Sequence, residues 1–284
     1  MNDKNPIEFN AGFLEQTAFL SEEESRALME QCRGICFDDF VKNDQTKVIE
    51  KLCFDFVYTS AQIEGNTYTK AEAETLFETQ KPIGSKTIND AIMLLNIKEA
   101  LEYVLTQKPP LNKHSIREIH QILSSNLLPK VAQGAVRKIP VFIGSSAYRP
   151  INNPIELDCK MDLLLQKAEQ IANPFDKAIY LHLNLAYLQY FQDCNKRLAR
   201  MIQNLALVSE GYPFLAYDSN DSSIISQYKE SIIAYYERGE AKPYTNLFIK
   251  EYQNNLELLK SVKKYLVCEN TKTSTQNKIT KRSR

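Results

Sequence analysis

Apolar residues recur every three to four positions along most of the chain, which is typical of amphipathic helices. Helix-starting residues, prolines and glycines divide this pattern into segments. Residues 1–20 carry no strong periodicity and are expected to form an irregular arm. The predicted helices cover residues 21–36, 47–63, 67–80 and 86–107, a helix starting at residue 112, then 154–171, 174–189, 196–207, 222–237 and a last helix that ends near residue 267.

Residues 134–152 break the helical pattern. Alternating β-branched residues lead from Gly134 to Gly144, and Tyr148-Arg149-Pro150 returns after a polar turn. This arrangement predicts one β-hairpin in an otherwise mostly α protein. By itself, this pattern indicates no more than a structural hairpin that covers part of the core.

Composition limits the class of protein. The chain has 284 residues, of which 43% are apolar, enough for the core of one large domain or two small ones. Its formal net charge is zero, so no whole-chain field attracts nucleic acid or a membrane. The chain contains no apolar run long enough to span a bilayer, and its first residues do not resemble a secretory signal. We therefore expect a cytoplasmic protein that binds neither nucleic acid nor membrane.

The cysteines fit the same compartment. All six are scattered along the chain, at positions 32, 36, 53, 159, 194 and 268, and Cys36, Cys53 and Cys159 lie within helical patterns. This distribution is expected of reduced core thiols. With only three histidines in the chain, a zinc site is disfavoured.

A short polar turn joins the predicted helices 174–189 and 196–207. Asp193 and Asn195 are residue types that cap helices and form turns. The start of the second helix therefore offers backbone N–H groups and a positive dipole end to an anion. Arg197 and Arg200 share one helix face, and the Asp193 carboxylate can hold a divalent cation against phosphates. The turn suits a magnesium–nucleotide pyrophosphate; the alternative is a capped turn with surface salt bridges.

The residues from 189 to 200, QYFQDCNKRLAR, resemble the signature H-P-F-x-[D/E]-G-N-G-R-x-x-R of the Fic family. Three positions depart from it. Gln189 stands where the family has its catalytic histidine, and Cys194 and Lys196 replace its two glycines. The matching positions are Phe191, Asp193, Asn195, Arg197 and Arg200.

The resemblance implies a helical fold and a chemistry. Fic enzymes mostly transfer AMP from ATP to a Ser, Thr or Tyr hydroxyl of a target protein, with the histidine as base. Asp193 would then bind Mg²⁺, Asn195 and Arg197 would hold phosphates, and Arg200 would hold the γ-phosphate. Cys194 and Lys196 belong to the same nucleotide cradle, where Lys196 can add a positive charge.

Two further segments resemble parts of that family. Residues 60–65, SAQIEG, are similar to the inhibitory motif [S/T]-x-x-x-E-[G/N], which implies that Glu64, on a helix with Ser60, pairs with Arg200 and blocks the γ-phosphate site. A glutamate that merely ends a helix is the alternative. The expected hairpin resembles the flap that aligns a target segment by strand addition. Its target-docking residues would be Val141, Phe142, Ile143, Gly144 and Ser145.

This resemblance predicts a domain organisation. An N-terminal arm and helix would cover residues 1–45, followed by a Fic-type domain over 46–267 that includes the inhibitory helix 47–65. Residues 268–284 are polar and basic and read as a disordered tail.

Gln189 decides the functional hypothesis, because glutamine does not titrate near neutral pH and cannot act as a base. His182 lies two helical turns before it, about 11 Å away, and neither His114 nor His120 is placed by its motif as a substitute. We therefore predict an autoinhibited, ATP-binding protein with impaired or absent AMP transfer. The alternative is an active adenylyltransferase, or a kinase-like phosphotransferase with altered chemistry. A homodimer is left open.

Overall fold

The computed structural model describes residues 5–35 and 46–282, with the last helix described as backbone from residue 264. The described residues form a mostly helical fold with one two-stranded sheet, as the sequence predicted. Short 3₁₀ helices cover Ala11–Glu15 and Lys130–Ala132. The strands are β1 (Ile7–Glu8) and β2 (Tyr148–Arg149), and the helices are α1 (Glu22–Cys32), α2 (Thr46–Ile63), α3 (Lys70–Thr79), α4 (Ile88–Gln107), α5 (Lys113–Ser124), α6 (Pro154–Gln170), α7 (Pro174–Leu188), α8 (Asn195–Ser209), α9 (Ser223–Arg238) and α10 (Lys242–Arg282).

Helix starts follow from local capping chemistry. Ser21 and Glu24 form a capping box at the start of α1, in which each side chain accepts a hydrogen bond from the backbone of the other residue. Asn153 and Asn173 cap α6 and α7, each accepting hydrogen bonds from the backbone N–H groups two and three residues on. Each is followed by a proline at the first helical position. These starts were therefore readable from sequence.

Helix α7 forms the centre of the fold. Every one of its residues except Lys177 is buried, as expected of a helix that is covered by neighbours on all sides. It packs most extensively against α8, the helix that follows it in the chain. The turn between α7 and α8 is therefore held at both ends by helices that pack against each other in the core.

The predicted hairpin is wrong in its pairing. Strand β2 pairs in parallel with β1 from the N-terminal arm, with Ile7 opposite Tyr148, and residues 134–147 form no ladder. The reason lies at Arg137, whose backbone N–H donates to the Tyr190 carbonyl and whose guanidinium donates to the carbonyls of Gln189 and Ile151. These bonds tie the segment to the end of α7 instead of to a second strand.

Both chain ends also differ from expectation. Within the described residues, the arm from residue 5 to residue 20 contains β1 and a 3₁₀ helix, and Leu14 lies in the same buried core as the helices. The backbone of α10 continues to Arg282, past the predicted end near residue 267 and through most of the predicted disordered tail 268–284, because neither glycine nor proline interrupts it after Pro243. The boundary predicted between an arm and a Fic-type domain near residue 45 stays a prediction.

The described cysteines are all free, but they do not share one environment. Cys32 and Cys194 are buried, whereas Cys159 is exposed, so it is not the core thiol that was expected. Cys36, the predicted end of the first helix, lies outside the described residues, and α1 ends at Cys32. None of the described helices is both long and apolar enough to cross a membrane.

Candidate functional site

The turn between α7 and α8 is closed by two residues with left-handed backbone. Gln189, after the last residue of α7, has φ +50°, and Cys194, which precedes α8, has φ +63°. A side chain in this region costs on the order of 1 kcal/mol relative to glycine. Cys194 adopts this conformation in a buried position, and its thiol lies 3.7 Å from the Leu123 carbonyl oxygen. Its side chain therefore belongs to the core beneath the turn, and burial raises the pKa of the thiol to about 12.

Asn195 holds the turn together with its side chain. Its Oδ1 accepts a hydrogen bond from the Phe191 N–H at 2.9 Å, and its Nδ2 donates to the Phe191 carbonyl at 2.8 Å. The same Nδ2 donates to Gln189 Oε1 at 3.2 Å. Because both side-chain amide protons of Asn195 have partners within the turn, its side chain stabilises the shape of the site. The groups offered to a ligand are the free backbone N–H groups at the start of α8.

Gln189 is 9% exposed and its carboxamide is fully engaged. Nε2 donates to the Ala186 carbonyl at 2.7 Å and approaches the Tyr236 hydroxyl at 3.4 Å, while Oε1 accepts from Asn195. The side chain thus links the end of α7, the start of α8 and helix α9. The carboxamide does not titrate near neutral pH, so it cannot accept a proton as a base.

His120 supports the turn from below. The Gly134 N–H donates to its Nδ1 at 2.9 Å, so the proton lies on Nε2, which donates to the Asp193 carbonyl at 3.1 Å. The ring stacks on Phe191 with 3.8 Å between centroids. Burial lowers the pKa of His120 to about 4, so the imidazole stays neutral and structural.

The other two histidines also lie away from the reacting position. His182 is fully buried, stacks on Tyr244 and lies 3.0 Å from the Tyr228 hydroxyl. Burial, assisted by nearby Arg200, lowers its pKa well below the ordinary range. His114 is exposed on α5 and pairs with Glu118.

Arg200 lies in a buried cluster that includes the predicted inhibitory residues. Its side chain is 2% exposed, and Nη2 contacts Glu64 Oε1 at 2.9 Å. Nε donates to Ser60 Oγ at 2.8 Å, Nη2 to the Ser60 carbonyl at 3.1 Å, and Nη1 to the Tyr228 hydroxyl at 3.0 Å. The structure therefore brings Arg200 to Ser60 and Glu64, which precede it by 140 and 136 residues.

Glu64 has a second cationic partner that the sequence reasoning missed. Lys196 Nζ lies 3.1 Å from Glu64 Oε2, the oxygen that Arg200 does not contact. Burial alone would raise the pKa of the Glu64 carboxyl, but Arg200, Lys196 and Arg197 lower it to about 2. The available signal was the spacing of Lys196 and Arg200, since residues four apart lie on one helix face.

Arg197 is buried but incompletely paired. Its Nη2 lies 3.3 Å from Asp193 Oδ2, a carboxylate that is 61% exposed. Its Nε and Nη1 atoms are buried and have no hydrogen-bond partner within the described part of the chain. Unpaired buried donors are rare and costly, and an anionic ligand would satisfy them.

The described residues contain no cluster of three or more His, Cys, Asp or Glu side chains that could hold a metal alone. Asp193 is therefore a single exposed carboxylate. This matches how Mg²⁺ is held beside nucleotides, by one or two carboxylates with phosphate oxygens and waters completing the shell. The donor set fits Mg²⁺ only together with a phosphate ligand.

A cavity of about 270 Å³ lies between the turn and the segment 141–145. Glu64 and Lys196 form part of its wall together with Gln189 and Asp193. All five predicted docking residues face it, and the Phe142 ring is 74% exposed. The remaining lining residues are Val141, Ile143, Gly144, Ser145, Gln192, Asn195 and Tyr236.

Comparisons with known proteins agree with this arrangement. Residues 110–207 match the Fic/DOC family. The chain is 32% identical over 173 residues to "Protein adenylyltransferase Fic" of Nematostella vectensis, covering 59% of this chain and 40% of that protein. It is 29% identical over 171 residues to the protein of the same name in Drosophila melanogaster, covering 56% and 33%. The chain thus spans less than half the length of these curated relatives.

Solved structures give the same fold. Fic-1 from C. elegans superposes with a TM-score of 0.69 at 20% identity, covering 86% of this chain and 72% of that chain. A Fic domain containing signaling protein from Bacteroides thetaiotaomicron gives 0.66 at 20% identity, covering 84% and 97%. The match in residues 110–207 includes the α7–α8 turn with its aspartate, asparagine and arginines, so this chain carries a Fic/DOC family domain related to protein adenylyltransferases.

Proposed function

We propose that the protein binds ATP with Mg²⁺ at the α7–α8 turn, that Glu64 holds this site closed at rest, and that AMP transfer to protein hydroxyls is impaired or absent. The observation that carries the proposal is Gln189, an uncharged side chain at the position of the family's base, fully hydrogen-bonded inside the site. The site would therefore keep its nucleotide-binding residues while lacking the catalytic base.

The proposed binding of nucleotide rests on cations and on unsatisfied hydrogen-bond donors at the start of α8. Buried Arg197 has two donor atoms without partners in the described residues, and the adjacent first turn of α8 carries the positive end of a helix dipole. Lys196 and Arg200 add two cations on the same helix. When bound, Mg²⁺ would neutralise phosphate charge from its place on Asp193, in the manner of other nucleotide sites.

The closed resting state rests on Glu64. Its carboxylate forms part of the cavity wall and pairs with both Lys196 and Arg200. These two cations are therefore neutralised by Glu64 instead of by a phosphate group. The remaining cavity of about 270 Å³ is below the roughly 300–1,000 Å³ typical of small-molecule sites. Removing the Glu64 side chain would enlarge the space and release both cations.

The catalytic half lacks a base. The titratable residues in the cavity wall are Glu64, Asp193, Lys196 and Tyr236. Glu64 is held ionised by its cations at a pKa of about 2, and burial raises the pKa of Tyr236 well above its ordinary value. Neither of these two suits general-base work near neutral pH. Asp193 would hold Mg²⁺, and Lys196 is paired with Glu64. Loss of a general base costs roughly 10²–10⁴-fold in rate.

A protein is the proposed target class. The exposed Phe142 and the segment 141–145 border the cavity, where an extended target segment can align through its main chain. The curated relatives are named protein adenylyltransferases, which supports a protein as acceptor. The resemblance to the Fic signature implies a Ser, Thr or Tyr hydroxyl on that protein. We expect the protein to act in the cytoplasm.

The test combines binding with transfer. ATP and Mg²⁺ are titrated calorimetrically into the protein, and transfer is measured with ATP labelled at either the α- or the γ-phosphate. Wild type should bind ATP weakly and transfer little, whereas Gln189→His combined with Glu64→Gly should raise AMP transfer by roughly 10²–10⁴-fold. Arg197→Ala serves as the binding-deficient control.

Three outcomes would contradict the proposal. Strong α-label transfer by wild type that Arg197→Ala abolishes would mean an active adenylyltransferase, and transfer of the γ-label would mean a phosphotransferase. Absence of ATP binding in the Glu64→Gly variant would remove the nucleotide site itself.

A further inference from the structure

Helix α8 presents two cations to one carboxylate. Lys196 and Arg200 lie one helical turn apart, and each contacts a different oxygen of Glu64, at 3.1 and 2.9 Å. The Arg200 side chain is 2% exposed and the Glu64 side chain 13%, whereas Lys196 is 34% exposed. Glu64 is thus bound as an anion in a two-cation site at the edge of the cavity.

We propose that Lys196 is a second lock on Glu64, so that the resting site opens only when a polyanionic ligand replaces the carboxylate on both cations. The inference rests on the proposed function, because the ligand it names is the phosphate chain of that site. It gives Lys196 two opposed roles. Lys196 holds Glu64 in the empty site and holds phosphate in the loaded one.

The two locks differ in mobility. Arg200 is fixed by Ser60 and Tyr228 in addition to Glu64, so it stays in place when Glu64 leaves. Lys196 has a flexible stem and is partly exposed, and its ammonium can follow an incoming phosphate. Because Ser60 keeps α2 bonded to Arg200, opening requires only rotation of the Glu64 side chain at the end of α2.

The proposal predicts a specific form of non-additivity. Lys196→Met keeps the apolar stem and removes the charge. In a Glu64→Gln background it can only weaken ATP binding, because a phosphate partner is lost. When Glu64 is present, Lys196→Met also removes a contact that holds Glu64 in the site. This second effect favours ATP binding and therefore opposes the loss of the phosphate partner. The loss of ATP affinity should therefore be about two- to fivefold smaller with Glu64 present, the range expected of a partly exposed ion pair.

The test is a double-mutant cycle of Lys196→Met and Glu64→Gln, read in two ways. Calorimetric titration with ATP and Mg²⁺ reports the loaded site. Urea unfolding of the nucleotide-free protein reports the lock alone. There, Lys196→Met should lower the ratio of native to unfolded protein by about two- to fivefold only when Glu64 is present. Lys177→Met, which breaks a comparable pair with Glu210, is the control and should have the same effect in both backgrounds.

Equal effects of Lys196→Met in both Glu64 backgrounds, without nucleotide, would overturn the second lock. Failure of every variant to bind ATP would reject the proposed function instead, while the unfolding cycle still decides whether Lys196 holds Glu64.

Discussion

Replacing Glu64 by glycine tests the closed resting state most directly. The change removes a carboxylate bound to Arg200 at 2.9 Å and to Lys196 at 3.1 Å. Arg200 is not left unpaired, because Ser60 and Tyr228 still accept its hydrogen bonds. The expected result is tighter ATP binding without collapse of the site.

The magnitude follows from the two contacts. A buried hydrogen bond to a charged group contributes about 1.5–3 kcal/mol, and a partly exposed ion pair contributes about 0.2–1 kcal/mol. If ATP must displace both contacts, their loss should strengthen binding by about 2–4 kcal/mol, or roughly 30- to 700-fold. The gain should be smaller for Glu64→Gln, whose amide oxygen still accepts a bond from Arg200.

The assay is calorimetric titration of ATP and Mg²⁺ into wild type, Glu64→Gln and Glu64→Gly, with AMP as the comparison ligand. AMP lacks the phosphates that reach the released cations, so its affinity should change less. Unchanged ATP affinity in Glu64→Gly, or a larger gain for AMP than for ATP, would refute the reasoning.

Three further outcomes follow from the structure. The pKa of Glu64, about 2 against an ordinary 4.5, means that its contribution to stability is present above about pH 4.5 and is lost as pH falls toward 2, so urea midpoints of wild type and Glu64→Gln should converge there. Phe142→Pro removes a backbone donor beside the cavity and should weaken target docking while ATP affinity stays unchanged. Gly239→Ala should lower the free energy of unfolding by about 1–3 kcal/mol, since φ is +69° and a new Cβ would lie 2.7 Å from Phe13.

Each of these has a matched comparison. Gly144→Ala meets no atom within 4 Å and should leave stability nearly unchanged, so an equal loss there would contradict the steric argument for Gly239. Equal loss of docking and ATP affinity in Phe142→Pro would mean that the segment is structural. A wild-type stability advantage that persists at pH 2 would show that the Glu64 charge is not its source.

Local features of the chain were predictable because they depend on neighbours in sequence. The starts of α6 and α7 follow from asparagine caps and prolines. The turn before α8 follows from Asp193 and Asn195. These preferences act over a few residues, so they can be read without knowing the fold.

The sequence alone therefore determined the helical class, the α7–α8 turn and the absence of a histidine at position 189. Tertiary structure decided which distant groups meet: β1 with β2 instead of a hairpin, and Lys196 with Glu64 beside the Glu64–Arg200 pair that the resemblance implied. The physical reason is that a helix pattern fixes which face of a segment is buried but not its partner. Only the packing of the end of α2 beside α8 brings Glu64 to two cations more than 130 residues away.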